Sequence, residues 1–272
     1  MPDVRHTLSL YGRLLSVQIR SQLQYRFSFL LEVTSTAITL GLFFLVLVFV
    51  FDRFEQLGGW TIAEVAFLFG MVETAFGVMD MVFSGFDPAN FGQQVRRGTF
   101  DQLLLRPVDL TLQVLGSQFV LRRLGRILEG MAILVYALSL LDVRWTAGKL
   151  LYLPVVLLSQ VAFFGGLFIV GAAITFWTVE SIEVMNVFTY GGSELISYPM
   201  HIYQRWMRHF FTYVVPAIFL NYFPALYFLD KSAPFPAPPW APFLAPLVGL
   251  AILAAAFRFW RFGIRHYQST GT

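Results

Sequence analysis

Cysteine is absent from this 272-residue chain, which excludes disulfides and thiolate metal sites. Charge is scarce as well. Only 13% of residues are charged, whereas 57% are hydrophobic and 30 are phenylalanine. A soluble domain needs apolar side chains only for its core. A composition this apolar therefore speaks against an ordinary globular domain and for a polytopic membrane protein whose outer face meets lipid. The net charge of +3 is small, and the basic residues sit at the ends of apolar runs. That placement suits orientation by membrane lipid and not nucleic-acid binding. The four histidines, at 6, 201, 209 and 266, lack metal-ligand spacing. Gly148-Lys149 is followed by Leu150 and lacks the preceding glycine of a phosphate-binding loop, and no nucleophile elbow is present. No catalytic residue, metal site or bound cofactor is therefore expected in this chain.

What is present is a series of seven apolar stretches: Phe27–Phe51, Ile62–Phe86, Phe119–Leu141, Leu150–Val179, Ile182–Met200, Phe210–Leu229 and Phe243–Phe262. A crossing helix takes about 20 such residues. Arginine favours the cytoplasmic side, and both ends of the series carry it: Arg5, Arg13, Arg20 and Arg26 before the first stretch, Arg258, Arg261 and Arg265 at the last. With both termini cytoplasmic the number of crossings is even, so one stretch does not cross. Phe210–Leu229 is interrupted by Pro216, Asn221 and Pro224. Proline breaks the helical hydrogen-bond ladder, and broken backbone at membrane depth survives only inside protein or beside a wet cavity. The region 201–229 thus reads as a re-entrant hairpin, followed by an extended cap rich in proline from Pro234 to Pro242. The rival is Ile182–Met200, which holds Glu183, Glu194 and Gly191-Gly192 and is favoured by charge counting. Physics alone leaves both open.

Residues 1–26 read as an amphipathic cytoplasmic interface helix, with Leu8, Tyr11, Leu15, Ile19 and Leu23 on one side. Residues 27–272 form a single transmembrane domain. Phe27–Phe51 reads as a true span and not a signal peptide, and Trp60 suits an interfacial belt. The third span is expected from Phe119, with Arg122, Arg123 and Arg126 snorkelling to the interface. Ala162 and Gly166 mark a place where another helix could approach. In the second span Glu73 and Asp80 are two turns apart and share one face. A carboxylate there costs about 2.5–3.5 kcal/mol on insertion, so this face is expected to be buried toward a partner subunit or a polar pathway. Glu73 then either hydrogen-bonds a neighbouring helix or meets a polar or cationic group in that pathway.

The largest polar connection, with a cytoplasmic segment at 92–118, reads Arg97-Gly98-Thr99-Phe100-Asp101-Gln102-Leu103-Leu104-Leu105-Arg106-Pro107 at its centre. Gly98 breaks the preceding segment, and Thr99 could cap a helix that starts at Phe100. Asp101 then sits in the first turn, where the helix dipole favours a carboxylate. Phe100, Leu103 and Leu104 form one apolar side, and Pro107 stops the turn.

This segment, between the second and third spans, together with the leader helix and the late interrupted hairpin, resembles the membrane-spanning permease subunit of type-two ATP-binding-cassette exporters. The resemblance covers nearly the whole chain. Its most specific part is the pattern from Gly98 to Pro107. It implies an all-α polytopic membrane protein with six transmembrane helices and an outer re-entrant hairpin before the last, which favours Phe210–Leu229 as the non-crossing stretch. It also implies a coupling helix, with Arg97, Gly98, Thr99, Phe100, Asp101, Leu104 and Arg106 at the contact with a separate ATPase subunit. ATP and magnesium would belong to that partner. A second permease copy or paralogue, membrane lipid and a location in the cell membrane complete the expectation, with cargo open among lipids, glycans, drugs and peptides. Two other readings compete. One is a secondary transporter or channel in which Glu73 and Asp80 carry ions or protons. The other is a membrane enzyme acting on lipid, which lacks a visible catalytic cluster.

Overall fold

A computed structural model describes residues 4–178 and 183–268; among them every regular element is helical, and β-structure is one isolated bridge between Leu57 and Trp60. Helix α1 (Val4–Leu23) ends in a turn at Gln24–Tyr25 and leads into α2 (Arg26–Arg53). The tight turn at Gly58-Gly59 then reverses the chain into α3 (Ile62–Val82). Thr61 and Glu64 form a reciprocal capping box at the start of α3, which satisfies donors that a helix start leaves free. Three short helices follow: α4 (Pro88–Arg96), α5 (Thr99–Leu104) and α6 (Leu110–Ser117). Next come α7 (Leu124–Leu140) and the 32-residue α8 (Ala147–Thr178). The remainder holds α9 (Val184–Phe188), α10 (Tyr190–Ile196), α11 (Arg205–His209), α12 (Tyr222–Phe228) and α13 (Ala245–His266).

Among the described residues four helices are long and apolar enough to cross a membrane: α2, α3, α8 and α13. The bent pair Arg205–Val214 and Ala217–Phe228 would make a fifth if counted as one span. Helix α7 has 17 residues, about 25 Å of rise, the lower limit for a crossing. It starts at Leu124 and not Phe119, because residues 121–123 form a separate tight turn. The stretch expected as a fifth span is no continuous helix among its described residues. It breaks at Thr189, where ψ is −78°, into α9 and α10, and it stops before Pro199. Ile182 itself lies outside the described residues.

Helix α3 is the most enclosed element and forms the axis of the core. It meets α7 through glycines. A Cβ added at Gly130 of α7 would lie 2.5 Å from the Thr74 nitrogen, and one at Gly70 of α3 would lie 2.7 Å from the Leu134 nitrogen. Only hydrogen fits at such distances, so the two backbones run nearly in contact, as small residues permit in helix pairs. Helix α13 packs along α8, reaching Gly166 through Ile252 as the small-residue pair suggested. By contrast α2 buries only Leu47 and leaves Phe27, Ile38, Phe43 and Phe49 exposed.

The segment from 201 to 231 begins and ends at the same end of α3. His201 Nε2 lies 2.7 Å from the Gly58 carbonyl, and Lys231 Nζ donates to the Gly59 carbonyl at 3.1 Å. Between them the chain forms a π-helical turn over Phe210–Val214, breaks at Pro216 and bends by 81° into Ala217–Phe228. Buried amides satisfy this irregular backbone. Asn221 donates to the carbonyls of Leu68 and Ile196, and Gln160 donates to that of Leu220. Broken backbone in an apolar core needs such partners. Trp60, expected at a membrane interface, is instead buried, stacked on Tyr222 with Lys231 Nζ 5.0 Å from its ring.

Candidate functional site

The polar segment after α3 is built on two helix starts and one glycine. Asp87 caps α4 by accepting from the backbone nitrogens of Ala89 and Asn90, and Pro88 opens the helix. Gly98 then turns the chain with φ +66°, a conformation that costs a side-chain-bearing residue. The next helix begins one residue earlier than expected, at Thr99, with Gly98 in the cap position. Thr99 does not cap it. Its hydroxyl donates back to the Gln94 carbonyl at 3.1 Å, tying α5 to α4.

Phe100 also departs from its expected place. It is fully buried, edge-on to Phe91 and Tyr267 at centroid distances of 5.3 and 4.9 Å, and also against Phe176. Trp260 of α13 closes the same nest through Phe91 and Phe176. The phenyl ring has no polar atom and enters the apolar nest at full gain, so it cannot present itself to a partner. The expected apolar side of α5 is therefore split. Phe100 faces inward, Leu103 is partly covered, and Leu104 and Leu105 are 45% and 86% exposed. Arg97, Thr99 and Arg106 are exposed beside them, and Gly98 is half-buried. Asp101 stands in the first turn and accepts a hydrogen bond from the Tyr267 hydroxyl at 2.9 Å.

The leader helix is attached to the same region. Gln18 donates to the Ser117 carbonyl at 2.8 Å, while Gln22 donates to the Phe119 carbonyl and accepts from the Leu121 nitrogen at 2.9 Å. Leu14 lies over Gly116. These glutamines were not singled out from sequence, because polar residues on an amphipathic helix read as solvent-facing.

Glu73 and Asp80 do share a face, and both are buried. That face points at α7 within the same chain. Arg126 reaches Glu73 with two parallel bonds, Nε to Oε2 at 2.5 Å and a terminal nitrogen to Oε1 at 2.9 Å, and its guanidinium lies 4.3 Å above the Phe76 ring. Arg123 pairs with Asp80 at 2.8 Å. Arg126 is thus buried rather than snorkelling: a two-pronged carboxylate inside the protein outweighs a reach to the interface. Glu129 and Glu194 stand within electrostatic reach of this pair. Both Glu129 oxygens are buried without a hydrogen-bond partner among the described residues. A single charge in an apolar run was the only sign of Glu129 in the sequence.

At the other end of α3, Lys231 binds both oxygens of Glu64, and Lys149 binds Asp230 at 2.8 Å and the Phe228 carbonyl at 2.9 Å. Among the described residues no group of three or more histidines or carboxylates could hold a metal ion.

Comparison with curated proteins and with solved structures gave no match. A family model described as ABC-2 family transporter protein matches residues 37–271, which takes in α3 to α13 and most of α2. The chain therefore belongs to the ABC-2 family of transporter proteins.

Proposed function

We propose that this chain is the membrane permease subunit of an ATP-driven exporter, working with a second permease copy or paralogue and with separate ATPase subunits that bind ATP and magnesium. The observation that carries the proposal is the exposed run Leu104-Leu105-Arg106-Pro107, held on a short helix whose inner side is fixed by buried Phe100. An exposed apolar pair beside arginines, on a rigid support, suits a protein contact. In this reading the partner touches Arg97, Thr99, Leu104 and Arg106, while Gly98, Phe100 and Asp101 hold the segment in shape.

The same reading gives the chain six passes. Helices α2, α3, α7, α8 and α13 supply five. The broken run from α9 to Ile202 supplies the sixth, and 205–228 enters and leaves on one side. Both termini and 92–118 are then cytoplasmic, and residues 201–209 and 230–242 face outward. The uncovered face of α2 meets lipid or the second permease. A secondary transporter or channel would need free carboxylates at Glu73 and Asp80, and both are engaged by arginines. Purification in mild detergent from the native host tests the proposal. An ATP-binding-cassette ATPase retained in stoichiometric amount supports it, and a transport-active chain without any ATPase refutes it.

A further inference from the structure

At the end of the molecule opposite α4 and α5, the turn after α11 and the proline run from Pro234 enclose a cavity of about 720 Å³. That volume lies within the range of small-molecule sites. Arg205, Arg208 and His209 line it, and no acidic residue does so among the described residues. The Arg208 guanidinium lies 5.3 Å from the Phe235 ring centre. Its Nε is buried and has no hydrogen-bond partner among the described residues. The ring attracts the cation without using its hydrogen-bonding capacity, which leaves guanidinium N–H donors for a planar or tetrahedral oxyanion. Apart from Thr212 and Tyr213 the remaining wall is apolar, with Phe223, Phe235 and Trp240 prominent. Proline on that wall lowers the ordering cost of filling the site.

We propose that this cavity binds an amphiphile with one phosphate-type anionic head, the head at Arg205 and Arg208 and the apolar stem against Phe223, Phe235 and Trp240. A free inorganic anion would leave the aromatic wall unused, and a cationic amphiphile would face two arginines with no counter-charge. The site is separate from the surface at Leu104 and Leu105. It goes beyond the permease reading, and its test needs neither ATPase nor transport.

The test is calorimetric titration of the purified full chain in dodecyl maltoside with dodecyl phosphate, dodecyltrimethylammonium and inorganic phosphate. One saturable site for dodecyl phosphate is expected, at least tenfold tighter than for either of the others. Arg208→Gln will weaken it at least tenfold. Arg205→Gln will also weaken it at least tenfold, and this residue is exposed, so folding is not at risk. Competition by phosphatidylglycerol, but not by phosphatidylcholine, assigns the site to a bilayer lipid. Absence of that competition, with dodecyl phosphate still bound, assigns it to a single-chain amphiphile. Equal affinity for both head charges, inorganic phosphate bound as tightly as dodecyl phosphate, or unchanged affinity in Arg205→Gln would overturn the proposal.

Discussion

The Tyr267 hydroxyl donates to the Asp101 carboxylate at 2.9 Å, joining the end of the last helix to the short α5 across 166 positions of sequence. Around this bond the rings of Phe91, Phe100, Phe176 and Trp260 link α4, α5, α8 and α13. Helix α5 is therefore tied to the core through packed rings and not through a flexible loop. Tyr267→Phe removes only the hydroxyl and should cost roughly 1 kcal/mol, since the bond is only partly buried. Thermal melting of the purified chain will fall by a few degrees at most, while transport driven by the proposed ATPase partner falls more. Burial and the neighbouring Asp101 push the Tyr267 phenol up to about 12. Its folded-state pKa is raised above the ordinary phenol value near 10. Its contribution is therefore full below about pH 10 and lost as pH rises through about 12. The Tyr267→Phe variant will lack this alkaline component in the melting curves.

Breaking the Glu73–Arg126 pair will be far more damaging. Glu73→Gln leaves an arginine buried without its carboxylate, a change worth about 3–5 kcal/mol in buried pairs. We expect poor yield and early unfolding in detergent. The double variant Glu73→Gln with Arg126→Gln will recover much of that loss. Non-additive melting temperatures across the four proteins check the pairing. Additive losses would mean that the two side chains do not stabilise each other.

Gly130→Val will separate α3 from α7, because the space beside Gly130 is occupied by backbone of α3. Overpacking of this kind costs about 1–3 kcal/mol and often more where backbone must move. Gly148→Ala is the control, since the nearest atoms to its added Cβ lie at 3.7 and 3.8 Å. The first variant should fail to accumulate in membranes and the second should match the parent, as read by quantitative blotting.

Much of this architecture was legible because membrane helices are specified by composition over long windows. The runs that became α2, α3, α8 and α13 hold enough apolar residues that no local detail could redirect them. The interrupted backbone between 201 and 229 was marked by Pro216 and Asn221, which the fold answers with Gln160 and the carbonyls of Leu68 and Ile196. The break at Thr189 was less visible, because Gly191-Gly192 weakens a helix without stating where it ends. The inward facing of Phe100 is not legible in the sequence, for a physical reason. On a six-residue helix the apolar residues do not say which of them faces the core, and an aromatic nest drawn from α4, α8 and α13 decides it. Arg126 was read from its neighbours as an interface residue, and only the meeting of α3 and α7 supplies its carboxylate.

The central claim, that the exposed end of α5 couples this permease to an ATPase, is tested most directly by Leu105→Asp. Leu105 is 86% exposed, so the change should leave the melting temperature of the isolated chain unaltered. The measurement is the amount of ATP-binding-cassette ATPase that co-purifies with the full chain from its native host. The account predicts a loss of at least tenfold in retained ATPase, with the chain still present in the membrane at its normal level. Retention of the ATPase at the parental level, with Leu105→Asp present and folded, would contradict it.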